Sequence, residues 1–198
     1  ISSYPERDYA TLREHISNYA KASPDNMILG SGTSDLIRLT FDTVKPERTL
    51  IVGPTYGEYA RMAKLAGSEV QSFMLQNLDD FEMDVDVFLK NLTDSIDMLI
   101  ICNPNNPTGK LINKKQLDVI LDACIDHNIF VMIDEAYIEF CKDAERRMAH
   151  RGRKAKILHL RPDNGRSYTV WYRWSCFIGR LLQRRYQEAR AYPQGQGG

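Results

Sequence analysis

The sequence lacks the features that would place it in a membrane or on a secretory route. None of its apolar runs reaches the roughly 18 residues that a transmembrane helix needs. Its first residues, ISSYPERDYATL, contain no basic stretch followed by an apolar one, so we expect no signal peptide. We therefore predict a cytoplasmic protein without a membrane partner.

Cysteine and histidine are scarce. The chain of 198 residues has four of each, and the cysteines show no C-x-x-C spacing. The cysteines are Cys102, Cys124, Cys141 and Cys176. Reduced thiols of a cytosolic protein fit this pattern better than disulfides or metal ligands do. We expect no bound metal.

The net charge of the whole chain is zero, but its two parts carry opposite charges. The formal charge of zero hides 13 Lys+Arg against 23 Asp+Glu in residues 1–143, and 13 against 3 in residues 144–198. Eleven of the sixteen arginines lie in the second stretch. We interpret residues 144–198 as a divergent basic tail that is disordered, out of frame or from an aberrant or truncated gene. The rival interpretation, a tail that binds nucleic acid, lacks a helix-face pattern of arginines.

What the sequence does have is a series of apolar runs that alternate with helical patterns. The runs predict strands at 27–30, 49–53, 69–75, 97–102 and 129–134, with helices at 8–20, around 37–44, at about 55–66, near 84–91 and around 117–124. Continuously apolar strands separated by helices are typical of a parallel sheet that is covered on both faces. We predict an α/β fold with three layers, α/β/α, around a mainly parallel, incomplete sheet.

Four segments that directly follow predicted strands are rich in small, polar and aromatic residues. They are GSGTSD (30–35), PTYGEY (54–59), NPNNPTG (103–109) and DEAY (134–137). In such sheets, ligands bind beyond the carboxyl ends of the strands. The four segments are therefore the candidate site.

Three of the segments allow a functional and a structural interpretation. Thr33 and Ser34 begin a helix, where free N–H groups suit a phosphate, or else Ser31 or Thr33 simply caps that helix. Tyr56 is placed either to stack on a flat ligand or to pack in the core. Asp134 is costly to bury without a cation, such as a protonated ring nitrogen, unless it caps a turn.

The fourth segment, NPNNPTG, predicts a stiff loop. Pro104 and Pro107 restrict the backbone, and Gly109 permits a positive φ. A rigid loop would hold the Asn106 amide as a hydrogen-bond donor to a ligand, while the other two asparagines serve the turn. The structural alternative is an ordinary connection between a strand and a helix.

Together, NPNNPTG and DEAYIEF resemble the fold-type I pyridoxal-phosphate (PLP) enzymes, the class I/II aminotransferases. Within that family, the chain looks most similar to histidinol-phosphate aminotransferase and threonine-phosphate decarboxylase. The resemblance covers roughly residues 4–141. Residues 1–143 are therefore interpreted as a partial PLP-binding large domain.

The resemblance implies roles around the pyridine ring of the cofactor. Asp134 would pair with the ring nitrogen and keep it protonated, so that the ring acts as an electron sink. Asn106 and Tyr137 would hydrogen-bond the phenolic oxygen, and Tyr56 would stack on the ring face.

The resemblance also implies how the cofactor phosphate is bound. Thr33 and Ser34 would hold it at the start of their helix. Tyr4, in SYPE, matches a family tyrosine that reaches across a dimer interface to the phosphate of the partner's cofactor. A homodimer is thus implied by the family.

The resemblance stops short of the catalytic lysine that forms a Schiff base with PLP. KILHLR (156–161) matches the strand that precedes this lysine, but Gly165 stands at the expected position and no lysine follows Lys156. The family's substrate-binding arginine belongs to a C-terminal small domain, which the tail does not resemble.

Several functions stay open at this point. The resemblance implies transfer of an amino group between a histidinol-phosphate-type substrate and 2-oxoglutarate or glutamate. Alternatives are threonine-phosphate decarboxylation and, because the lysine is missing, a non-catalytic remnant. A nucleotide-binding Rossmann domain fits less well, because Asp35 stands where the glycine fingerprint needs its third glycine.

Overall fold

Strands and helices alternate along the chain, for which a computed structural model describes residues 9–20, 23–24, 27–30, 32–141, 157–163 and 167–173. The strands are β1 (Met27–Gly30), β2 (Arg48–Gly53), β3 (Glu69–Met74), β4 (Met98–Cys102), β5 (Phe130–Asp134), β6 (Ile157–Asp163) and β7 (Ser167–Arg173). The helices are α1 (Ala10–Ala20), α2 (Thr33–Val44), α3 (Glu58–Leu65), α4 (Val85–Leu89) and α5 (Lys114–Asp126). No helix within these ranges is long and apolar enough to cross a membrane.

The strands form one sheet in the order β1-β7-β6-β5-β4-β2-β3. Strand β7 runs antiparallel to both of its neighbours, β1 and β6. The other four adjacent pairs are parallel. The prediction of an α/β fold with a mainly parallel sheet is confirmed.

Five strands lie where the apolar runs predicted them, with small differences at their ends. Strand β6 contains most of KILHLR and confirms that segment as a strand. Strand β7 was not predicted, although its sequence SYTVWYR has the β-branched and aromatic composition of strands. Both β6 and β7 come from the stretch interpreted as a tail. The domain boundary at residue 143 itself stays a prediction.

Apolar side chains cover both faces of the sheet. In β4, Met98 and Ile100 pack against α2 and α3 on one face, whereas Leu99 and Ile101 pack against α5 on the other. All four side chains are 1% exposed or less. This double burial gives the three-layer arrangement and explains why the strand sequences do not alternate between apolar and polar residues.

The ends of β4 and β5 determine where the polar floor of the site lies. Cys102 and Asp134 are the last residues of these strands and are direct register partners. Successive side chains of a strand point to opposite faces. Cys102 therefore shares the face of Ile100, and Asp134 that of Met132, which is the face that α2 and α3 cover.

Candidate functional site

The four segments chosen from the sequence converge on one cavity of about 340 Å³ at the carboxyl ends of the strands. Its described lining consists of Gly32, Thr33, Ser34, Tyr56, Tyr59, Cys102, Asn106, Asp134, Ala136 and Tyr137. Six of the seven predicted cofactor-binding residues are in this lining. The seventh, Tyr4, and Gly165 lie outside the described residues, so their roles stay predictions.

Asp134 forms the buried floor of the cavity, with 3% of its surface exposed. Its Oδ2 accepts a hydrogen bond from the Tyr59 hydroxyl at 2.7 Å, and its Oδ1 accepts one from the Ala136 N–H at 2.9 Å. The second bond is the turn cap that the structural alternative proposed. A turn cap alone does not explain why the Asp134 carboxylate lines a cavity.

No described positive charge balances Asp134. None of the ion pairs between described residues includes it, and the described cavity lining has no lysine, arginine or histidine. Burial raises the pKa of Asp134, and the hydrogen bond from Tyr59 lowers it in part. A buried carboxylate without a cation is expensive, so the donor set fits a ligand that brings a cationic N–H group.

Tyr59 is a site residue that the sequence did not reveal. It lies on α3 with its side chain 1% exposed, and the helical pattern alone placed it in the core. Burial, and then the neighbouring Asp134, raise the pKa of its phenol well above the ordinary value of a tyrosine. A buried tyrosine hydroxyl needs a hydrogen-bond partner. The residue type alone therefore indicated that Tyr59 meets a polar group.

Cys102 contributes a neutral thiol to the cavity floor. Burial raises its pKa to about 11, and the charge of Asp134 acts in the same direction. Its Sγ donates to the carbonyl of Pro104 at 3.3 Å. The thiol therefore stays protonated at physiological pH.

Two asparagines of NPNNPTG hold the loop in shape. Asn103 bonds Ile112 through both of its amide atoms, at 3.2 Å and 2.8 Å. Asn105 donates to the carbonyl of Pro54 and to the Thr108 hydroxyl, both at 2.8 Å. The prediction that these two residues serve the turn is confirmed.

Asn106 differs from its neighbours because its side chain lines the cavity. In the part of the chain that the structure describes, its side-chain amide makes no hydrogen bond to the protein, whereas its backbone N–H interacts with the Cys102 thiol. The loop around it is fixed by Asn103 and Asn105, and Gly109 adopts the predicted positive φ of 69°. Asn106 can therefore offer both an N–H donor and a carbonyl acceptor to a ligand.

Helix α2 presents its first turn to the cavity. Its N-cap residue is Gly32, with φ 92°, and no side chain caps the helix. The alternative in which Thr33 is the N-cap is thus wrong, and Ser31 lies outside the described residues. Thr33 and Ser34 line the cavity beside the positive end of the helix, an arrangement that suits an anionic group.

Two tyrosines stand at the mouth of the cavity. Tyr56 is 39% exposed, which excludes the alternative of a core tyrosine. Its ring meets that of Tyr59 edge to face, with centroids 5.6 Å apart and an interplanar angle of 82°. Tyr137 is 44% exposed and follows the strand that ends at Asp134. Both rings are accessible to a ligand.

The family model of class I and II aminotransferases matches residues 1–161. The chain belongs to this family. The resemblance noted in NPNNPTG and DEAYIEF is thereby confirmed, and the match extends beyond the resemblance into β6.

Named relatives fall into the two groups that the sequence suggested. Threonine-phosphate decarboxylase of Salmonella typhimurium strain LT2 is 34% identical over 140 residues, or 71% of this chain and 38% of that protein. Histidinol-phosphate aminotransferase of Methanococcus aeolicus is 33% identical over 148 residues, or 72% and 38%. This chain thus spans well under half the length of these relatives.

A solved structure agrees with both the fold and the family. The histidinol-phosphate aminotransferase of Clostridium acetobutylicum has a TM-score of 0.77 and 28% sequence identity. The superposition covers 93% of this chain and 56% of that one. The sheet described above is therefore that of the fold-type I enzymes.

Replacing Asp134 by asparagine should stabilise the cofactor-free chain at neutral pH. Because the pKa of Asp134 is raised in the folded state, the unfolded chain loses this proton first as pH rises. Folding free energy is therefore lost from about pH 3.9, the ordinary aspartate value, up to the folded pKa. Asp134→Asn removes this loss because asparagine carries no titrating group, and its Oδ1 can still accept from the Ala136 N–H while its Nδ2 donates to the Tyr59 oxygen. Urea unfolding across that pH range measures the difference.

Asp79→Asn is the matched control, because Asp79 is exposed. We expect this variant to follow the parent at every pH. A parent that is as stable as Asp134→Asn at neutral pH would show that the buried carboxylate carries no such penalty.

Proposed function

We propose that the cavity binds pyridoxal 5′-phosphate, as part of an enzyme that transfers an amino group between a histidinol-phosphate-type substrate and 2-oxoglutarate or glutamate. The observation that carries the proposal is the buried carboxylate of Asp134, which no described cation balances. A protonated pyridine nitrogen supplies the missing charge together with an N–H donor.

The lining offers one suitable group for each part of the pyridine ring. Asp134 would accept the N–H of the ring nitrogen and hold its proton there. Asn106 and Tyr137 would donate hydrogen bonds to the phenolic oxygen, and Tyr56 would cover one ring face. When bound, PLP supplies an electron sink that eases the removal of a group from the carbon beside the substrate's amino nitrogen.

The remaining assignments concern the phosphate and the assembly. Thr33 and Ser34 would bind the cofactor phosphate with their hydroxyls and backbone N–H groups. Tyr4 would reach the phosphate of a partner subunit, which makes a homodimer part of the proposal. A cytoplasmic location, inferred from the cysteine usage, is a further part of it.

Threonine-phosphate decarboxylation is the second candidate. Support for it comes from the Salmonella relative, which is 34% identical. The described lining would hold the cofactor, and the same residues would serve both reactions. Groups that select the substrate must therefore lie in parts of the enzyme that this cavity does not contain.

The third candidate is a chain that binds the cofactor without reacting. The described lining has no lysine, the resemblance predicts the family's lysine at the position of Gly165, and the family match ends at residue 161. We propose that the reading frame departs from that of a complete relative after residue 161, where the family match ends, rather than from residue 144. Another frame of the coding DNA should then encode a Ser-Lys motif followed by a small domain. The absence of both from every frame contradicts this idea.

Asn106→Ala should weaken PLP binding by about fivefold, because one hydrogen bond contributes about 1 kcal/mol. Titration of the purified chain with PLP, followed by absorbance and by quenching of protein fluorescence, measures the affinity. Asn77→Ala is the control, since Asn77 is an exposed asparagine that lies outside the cavity lining, whereas Asn106 is half-buried within it.

Two outcomes of this titration oppose the proposal. A parent chain that does not bind PLP contradicts the cofactor assignment, and equal affinities for parent and Asn106→Ala contradict the role of Asn106. Borohydride added to the bound complex separates the third candidate from the other two. Reduction of a non-catalytic remnant should yield no lysine–PLP adduct, whereas reduction of an active enzyme should yield one modified lysine.

A further inference from the structure

Tyr59 connects two parts of the chain that are 75 residues apart. Its hydroxyl on α3 donates to Oδ2 of Asp134 at the end of β5, at 2.7 Å, and both side chains are buried. Tyr59 also lines the cavity. None of the roles proposed above uses this hydrogen bond.

We propose that Tyr59 is a positioning residue, whose buried phenol favours the ionised form of Asp134 and orients its carboxylate beneath the cavity. The inference rests on the proposed function, because it concerns the carboxylate that would receive the ring nitrogen. It adds a residue that does not itself need to touch the cofactor.

Tyr59 can only act as a donor toward Asp134. Its phenol cannot lose its proton at physiological pH, because burial and the adjacent carboxylate both oppose the phenolate. The Ala136 N–H fixes the other oxygen, so the two donors together define the plane of the carboxylate. A carboxylate that accepts hydrogen bonds at both oxygens is stabilised in its charged form.

The other titratable groups near Asp134 do not replace this donor. The Cys102 thiol, on β4, donates its hydrogen bond to the carbonyl of Pro104, and Glu135, next in the chain, raises the pKa of Asp134. Among the described groups around Asp134, only Tyr59 and the Ala136 N–H favour the ionised form. Without the phenol, the hydrogen bond from the Ala136 N–H would therefore be the one described interaction that still favours the charged form of Asp134 against the effect of burial.

The same ring also supports Tyr56. The edge-to-face contact between the two rings joins the aromatic side chain proposed to cover the cofactor to the residue that holds Asp134. Tyr56 lies two residues before α3 begins, and Tyr59 is the second residue of that helix. Tyr59→Phe keeps this contact and removes only the hydroxyl, so it isolates the hydrogen bond.

The test follows the Asp134 side-chain carboxyl carbon by NMR in the cofactor-free chain labelled with ¹³C-aspartate. Asp134→Asn assigns the resonance. In Tyr59→Phe we expect the titration to move up by about one pH unit or more, the equivalent of a tenfold loss of preference for the charged form. Tyr9→Phe removes a phenol outside the cavity lining and should leave the titration unchanged.

PLP binding to the same variants is measured as a function of pH. The weakening in Tyr59→Phe should be largest at low pH and fade as pH rises past the shifted titration. Weakening that is equal at every pH, with an unmoved Asp134 resonance, means that the phenol is only structural and overturns the inference. A parent that fails to bind PLP overturns the proposed function, while the Asp134 titration still decides the role of Tyr59.

If Tyr59→Phe does not fold, 3-fluorotyrosine at position 59 provides a test that keeps the hydroxyl. Fluorination makes the phenol a stronger donor, so the Asp134 titration should then move to lower pH. An unchanged or higher value overturns the inference.

Discussion

The hydrogen bond between Tyr59 and Asp134 is the constraint on which the candidate site depends. It fastens α3 to the end of β5 and holds a carboxylate in an apolar setting where no described cation balances it. Burial alone would favour the neutral acid. The two donors oppose burial in part and orient the carboxylate at the bottom of an open cavity, at the cost of local stability.

The rest of the site follows from the geometry of parallel strands. Their carboxyl ends meet at one edge of the sheet, so segments far apart in sequence become neighbours there. Strands buried on both faces make a rigid base for this edge. Asn103 and Asn105 of the NPNNPTG loop are hydrogen-bonded to Ile112, Pro54 and Thr108, which leaves Asn106 as the asparagine of the loop whose side-chain amide is available.

Sequence patterns predicted the sheet and most of the cavity for identifiable reasons. β4 and β5 are continuously apolar, and the segments after them carry costly combinations of proline, asparagine and carboxylate. β7 escaped prediction because an antiparallel strand between β1 and β6 leaves no local mark beyond its composition. Tyr59 escaped because a buried helical stripe looks the same whether or not its hydroxyl meets a partner 75 residues away. The N-cap of α2 is Gly32 rather than Thr33, because the backbone there adopts a positive φ, which glycine tolerates.

The central claim, that Asp134 receives a protonated ring nitrogen, is tested most directly by the ¹⁵N resonance of that nitrogen in labelled PLP bound to the chain. We expect a protonated nitrogen at mildly alkaline pH in the parent, and loss of that protonation in Asp134→Asn. A bound cofactor whose ring nitrogen is unprotonated in the parent, or equally protonated in both proteins, would contradict it.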